Sequence, residues 1–166
     1  MIKTKRIVIL AMLIALTVAI SILLKIPMPF PGQVLTLIDC GILLAAFAYG
    51  PVAGLLVGAL TGALFDILSG YAATALWSAG VHGLEGLAVG LIVYRYARTS
   101  TSRALMSLVA MPIVVAGYFA CDMVMFHSLP MAITDIFAVN IPQVILGIVI
   151  ATILYNVLEK TMINVK

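Results

Sequence analysis

Charge is scarce in this sequence: nine lysines and arginines and six acids make up 9% of its 166 residues, against about 25% in a soluble domain. A surface that must dissolve needs far more ionised side chains, which excludes a soluble enzyme and a disordered chain. Cysteine is scarce too. Cys40 and Cys121 both fall inside apolar runs, which excludes a secreted disulfide scaffold and reads as two buried free thiols. The basic residues form no block, so the formal charge of +3 carries no nucleic-acid signal.

Hydrocarbon is what the chain has in abundance. Hydrophobic residues reach 64% and mean hydropathy is +1.27, the composition of an integral membrane protein. A spanning helix takes about 20 apolar residues, so a chain this long holds about six spans and no soluble catalytic or ATP-binding domain. A β-barrel would alternate over segments of roughly ten residues, whereas the runs here are continuous and rich in Leu, Ile, Ala and Gly. The basic start and apolar run after it lack an A-x-A cleavage site, and read as a retained first helix.

Proline, glycine and charge clusters divide the chain into spans at about 7–24, 34–49, 52–68, 78–96, 104–126 and 136–158. The expected fold is a single all-α membrane domain over residues 1–166. Lys3, Lys5, Arg6, Arg95, Arg98, Arg103, Lys160 and Lys166 fall on one side of that arrangement and Lys25 on the other. The positive-inside rule then puts both termini in the cytoplasm.

This orientation gives each polar residue a depth. Asp39, Asp66, His82, Glu85, Asp122, His127, Asn140 and Gln143 all fall in the outer half, and the inner half is almost purely aliphatic. Ionisable groups at membrane depth are costly and usually face a cavity or a partner, so the cluster reads as a cup opening outward. Asp39, Asp66 and Asp135 also admit an interfacial reading. Five outer acids stand against one lysine, which favours a neutral or cationic ligand over a polyanion.

Local spacing adds detail. His82 and Glu85 share a helical face, with glycines at 80, 83 and 86 beside them. They read as a hydrogen-bonding pair for a small polar ligand, as two ligands of a metal site that would need more, or as a structural pair. Asn140 and Gln143 share a face and offer donors and acceptors; Pro142 between them would open the first turn of span six. Trp77 and Tyr71 fit either an interfacial belt or a stacking role against a ring. Ala11, Ala15 and Ala19 form one small-residue stripe, and Gly50, Gly54, Gly58 and Gly62 another that leads to Asp66; such stripes allow close helix approach in lipid.

With A-x-x-x-A-x-x-x-A from Ala11 to Ala19, and Gly50-Pro51-x-x-Gly54-x-x-x-Gly58 closed by Asp66, the chain resembles the substrate-binding S-components of energy-coupling factor (ECF) vitamin transporters. The resemblance implies six helices, cytoplasmic termini, a prokaryotic plasma membrane and an outward-facing vitamin site. It implies that Ala11, Ala15 and Ala19 dock on a transmembrane coupling subunit carrying two ATPases. ATP would be hydrolysed by those partners, and this chain would hold no cofactor or metal. The loop 26–35 would act as a lid. Ligand contacts would fall to His82, Glu85, Tyr118, Asp122, Asn140 and Gln143, with Trp77 a further candidate. The stretch His82-Gly83-Leu84-Glu85-Gly86 and the pattern Asn140-x-x-Gln143-x-x-x-Gly147 look most like members assigned to pyridoxine or hydroxymethylpyrimidine.

Two other classes compete. A self-sufficient secondary transporter for a small cation would need a polar route through the inner half, where Thr152 and Asn156 are the notable polar groups. An intramembrane enzyme using His82 and Glu85 would need a nucleophile, a second acid or a third metal ligand at recognisable spacing.

Overall fold

The computed structural model describes residues 2–28 and 33–163. The chain opens with α1 (Ile2–Leu23), then a short antiparallel hairpin in which β1 (Ile26–Pro27) pairs with β2 (Val34–Leu35). Of the loop read as a lid, residues 29–32 lie outside the described residues, as does Lys166 from the orientation argument. The bundle continues with α2 (Ile38–Tyr49), α3 (Pro51–Ser69), α4 (Ala75–Tyr96), α5 (Ser100–Ser107), α6 (Ala110–Cys121), α7 (Leu129–Asp135) and α8 (Ile141–Ile163).

The joints follow local chemistry. Gly50 adopts φ +83° between α2 and α3, and Pro51 opens α3, where its missing N–H costs nothing. Gly70 closes α3 in the left-handed region. Thr99 and Ser102 form a reciprocal capping box at the start of α5. Ser128 accepts from the Met131 N–H and caps α7.

Several expected boundaries move. The second span was expected from 34, but Val34 and Leu35 are taken by the hairpin and α2 has only twelve residues. The link up to Arg103 is helical from Ser100, because the capping box starts the helix there. The fifth segment is a composite: α5, α6 and a π-helical turn over Asp122–Phe126. The last segment begins at Leu129 rather than 136, and Pro142 lies inside it, after a second π-helical turn at Ile136–Asn140. A proline has no N–H to place in the ladder, so a wide turn just before it is tolerated. Among the described residues five helices are long and apolar enough to cross a membrane, and α2 is a shorter apolar helix.

The main core lies between α2, α4, α6 and α8, around Leu43, Phe47, Val89, Val114 and Val144. Arg103, expected in a polar link, is buried at one end of it. Its guanidinium donates to Asn156 Oδ1 at 2.8 Å and lies 4.1 Å from the Tyr155 ring centroid. Ala11, Ala15 and Ala19 are all exposed, so the alanine stripe faces away from the bundle.

Candidate ligand cavity

The glycine stripe of α3 builds one wall. A Cβ on Gly54 would strike the Gly86 carbonyl, one on Gly58 the His82 carbonyl, and one on Gly62 the Ser78 carbonyl at 2.7 Å. Only glycine lets α3 and α4 touch backbone to backbone, and this contact carries Ser78 and His82 to the side of Asp66.

Polar contacts then lock that wall. Thr74 and Ser78 both donate to Asp66 Oδ2, at 2.7 and 2.6 Å. The Tyr118 hydroxyl donates to Ser78 Oγ at 3.0 Å, and its oxygen lies 3.0 Å from His82 Nε2. The other face of the His82 ring meets two acids: Nδ1 is 2.8 Å from Glu85 Oε2 and 3.6 Å from Asp39 Oδ1. Gln143 donates to Asp39 Oδ1 at 3.2 Å, and its Oε1 accepts from the Thr36 N–H and hydroxyl, each at 3.0 Å.

These walls enclose a cavity of about 350 Å³, at the small end of ligand pockets. Asp66, Asp122 and Asp135 border it, with no lysine or arginine among the lining residues. Asp66 is satisfied by hydroxyls, and Asp135 accepts from Asn140 Nδ2 at 2.8 Å. Asp122 Oδ2 is buried and has no hydrogen-bond partner. Phe65, Phe126, Met131 and Val139 supply apolar lining, and Tyr71 a ring. The hairpin reaches over the cavity through Gln33, whose Nε2 donates to the Met131 carbonyl at 2.9 Å.

Of the residues singled out in the sequence, His82, Tyr118, Asp122, Asn140 and Gln143 line the cavity together. Glu85 does not; it is fully buried behind His82 and meets Nδ1 of that ring at 2.8 Å. Trp77 also lies outside the lining, because its indole N–H is committed to the Gly117 carbonyl at 2.8 Å. Asp39, Asp66 and Asp135, for which an interfacial role stayed open, are all buried. Thr36, Thr74 and Ser78 were missed. A signal existed for two of them: Thr74, Ser78 and His82 recur every four residues, one polar stripe on α4 and the turn that leads into it.

Comparison with known proteins bears on family and fold. Residues 1–160 match the family model described as "ECF-type riboflavin transporter, S component". The chain is 32% identical over 158 residues to "Thiamine precursor transporter HmpT" of Lactococcus lactis subsp. cremoris (strain MG1363), covering 95% of this chain and 89% of that protein. It is 33% identical over 141 residues to an uncharacterized protein of Pyrococcus woesei, covering 84% and 92% respectively. A solved structure described as "Structure and mechanism of the S component of a bacterial ECF transporter" superposes with a TM-score of 0.63 at 23% identity, over 98% of this chain and 97% of that one. That last likeness concerns the fold alone.

Proposed function

Because the chain belongs to the S components of energy-coupling factor transporters, we propose that its cavity captures a small neutral or cationic, hydroxylated nitrogen heterocycle for an ATP-driven importer. As a member of that family it is a vitamin-transporter subunit and not an enzyme, in the plasma membrane of a prokaryote, and it associates with other ECF components. Hydroxymethylpyrimidine and pyridoxine are the substrates that best fit.

One observation carries this reading: a cavity of about 350 Å³ bordered by Asp66, Asp122 and Asp135, with no lysine or arginine among its described lining residues. A cationic or N–H-rich ring complements that acidic lining. Tyr118, Asn140 and Gln143 offer the directional donors and acceptors, and His82, held by Glu85, presents its ring and orients Tyr118. The relative named a thiamine precursor transporter supports the same substrate class. The cavity faces outward in the six-span, cytoplasmic-termini arrangement, with Gln33 and Val34 of the described hairpin at its mouth.

The exposed stripe of Ala11, Ala15 and Ala19 fits a docking face for a transmembrane coupling subunit carrying two ATPases. ATP hydrolysis belongs to those partners, and neither the vitamin site nor the docking face calls for a cofactor in this chain. The aliphatic inner half supplies no polar route of its own, which weighs against a self-sufficient transporter.

Two experiments test the reading. Mass spectrometry of the small molecule that copurifies, followed by titration, should give hydroxymethylpyrimidine or pyridoxine at micromolar affinity or tighter. Tight riboflavin binding would replace that substrate assignment, and tight binding of a polyanion such as folate would overturn the electrostatic argument. Ala15→Trp should retain ligand affinity in detergent while abolishing uptake and copurification with the coupling subunit. Normal uptake would refute the docking role; an unfolded protein would return the stripe to internal packing.

A further inference from the structure

With Asp66 ionised, hydrogen-bond polarity sets the tautomer of a neutral His82. Asp66 Oδ2 accepts from both Thr74 and Ser78, so the Ser78 oxygen accepts from Tyr118, and the Tyr118 oxygen accepts from His82 Nε2–H. A neutral His82 therefore turns the lone pair of Nδ1 toward Glu85 Oε2 and Asp39 Oδ1. Three acceptors face one small volume.

That volume is deeply buried. Asp39 and Glu85 are 0% exposed and His82 is 2% exposed. Among the described residues, Asp39 Oδ2 and Glu85 Oε1 each lack a hydrogen-bond partner. Among the described residues no lysine or arginine pairs with either acid. Two carboxylates and a lone pair cannot face one another bare in such a place: a proton or a metal cation must stand between them.

We propose that Asp39, His82 Nδ1 and Glu85 form a buried site for one divalent transition-metal ion of the zinc class. One ligand atom from each residue lies within 4.8 Å of the others. The separations from Nδ1, 2.8 and 3.6 Å, bracket the roughly 3.3 Å between neighbouring ligands of a tetrahedral ion bound at about 2.0–2.1 Å. Two carboxylates neutralise the ion, and an imidazole with carboxylates selects zinc, cobalt, iron or manganese over magnesium or calcium. The supporting layer is already in place: Gln143 holds Asp39, and Tyr118 holds the opposite nitrogen of His82. Gly147 admits α8 to this spot, since a Cβ there would come within 2.6 Å of Asp39 Cβ.

This site lies behind the cavity wall and stands whatever vitamin the cavity takes. The test uses the full chain in detergent, stripped with a chelator and titrated first with Co²⁺ and then with Zn²⁺. The expected result is one Co²⁺ per chain, with a second carboxylate oxygen or a water as its fourth ligand and the visible absorption of a four-coordinate ion, displaced by Zn²⁺. Asp39→Asn and Glu85→Gln should each weaken Co²⁺ binding by more than about tenfold. A folded wild-type chain that takes up well under one ion would overturn the site and leave a proton shared within the triad in its place. Wild-type affinity in both variants would overturn it equally, by placing the ion elsewhere. Should the variants fail to fold, the wild-type chain still decides: bound Co²⁺ must shift the His82 Nε2–H proton resonance, and an unshifted resonance refutes the assignment. Vitamin affinity measured on the same metal-free chain keeps a failure here distinct from a failure of the transport reading.

Discussion

The two walls of the cavity are built by opposite means. On one side α3 and α4 are regular helices of 19 and 22 residues, pressed together along Gly54, Gly58 and Gly62. On the other side α6, α7 and α8 are joined by π-helical turns at Asp122–Phe126 and Ile136–Asn140, and His127 sits at φ +50°. The regular wall carries polar groups that satisfy one another, Asp66 with Thr74 and Ser78, and His82 reaches Tyr118 on the opposite wall. The irregular wall carries Asp122, with an oxygen that nothing in the wall satisfies. Wide turns cluster at functional sites because they re-aim side chains that a regular helix would align elsewhere. Close packing fixes the frame of the regular wall, and the irregular wall leaves a buried carboxylate oxygen unpartnered among the described residues.

Substitutions can break that contrast. The largest effect is expected on the regular wall. Gly58→Leu would drive a side chain into the α4 backbone at His82 and should abolish monodisperse protein on size exclusion; Gly58→Ala should cost about 1–3 kcal/mol in thermal unfolding. An alanine variant of unchanged Tm would show that the two backbones are not in obligatory contact. Next comes Asp122→Asn on the irregular wall. Removing a charged partner of the ligand costs ~2 kcal/mol or more, about thirtyfold in affinity. Unfolding of the ligand-free variant should be unchanged or occur at higher temperature, since an unpartnered buried carboxylate is relieved. Weakened folding with unchanged affinity would reverse the roles assigned to the walls. The smallest effect belongs to Trp77→Phe, which removes the bond to Gly117 between the walls. It should cost about 0.5–1.5 kcal/mol of stability and leave ligand affinity alone; a large affinity loss would make Trp77 a ligand contact after all.

Much of this was legible from residue order. Continuous apolar runs announced the spans, and helical spacing gathered His82, Asp122, Asn140 and Gln143 toward one end. The glycine stripe foretold a close seam, though which helix it met was a tertiary fact. Burial of Asp39 and Asp66 was hidden for a common reason. Each lies within a turn of a helix terminus, where sequence implies access to water, but other segments cover those ends. The hairpin and Thr36 close over the start of α2, and the turn holding Thr74 folds back on the end of α3. Glu85 was legible as a partner of His82, but not its place behind the ring, which depends on how far α4 is rotated against α3. The π-turn before Pro142 was hidden as well, because a proline that opens a helix and one that follows a wide turn look alike in sequence.

The brevity of α2 reaches beyond the protein. Its twelve residues rise about 18 Å at 1.5 Å each, well short of a hydrocarbon core of about 30 Å. In the six-span arrangement proposed above, the remaining thickness falls to the segments that flank α2, among them β1 and β2, which pair with each other, and Thr36, whose N–H is held by Gln143. The cap of the cavity is thus part of the hydrophobic mismatch between protein and bilayer. Long acyl chains would submerge the cap and short ones expose it, so ligand exchange in vesicles should slow as lipid chains lengthen, and identical rates across chain lengths would place the cap above the membrane.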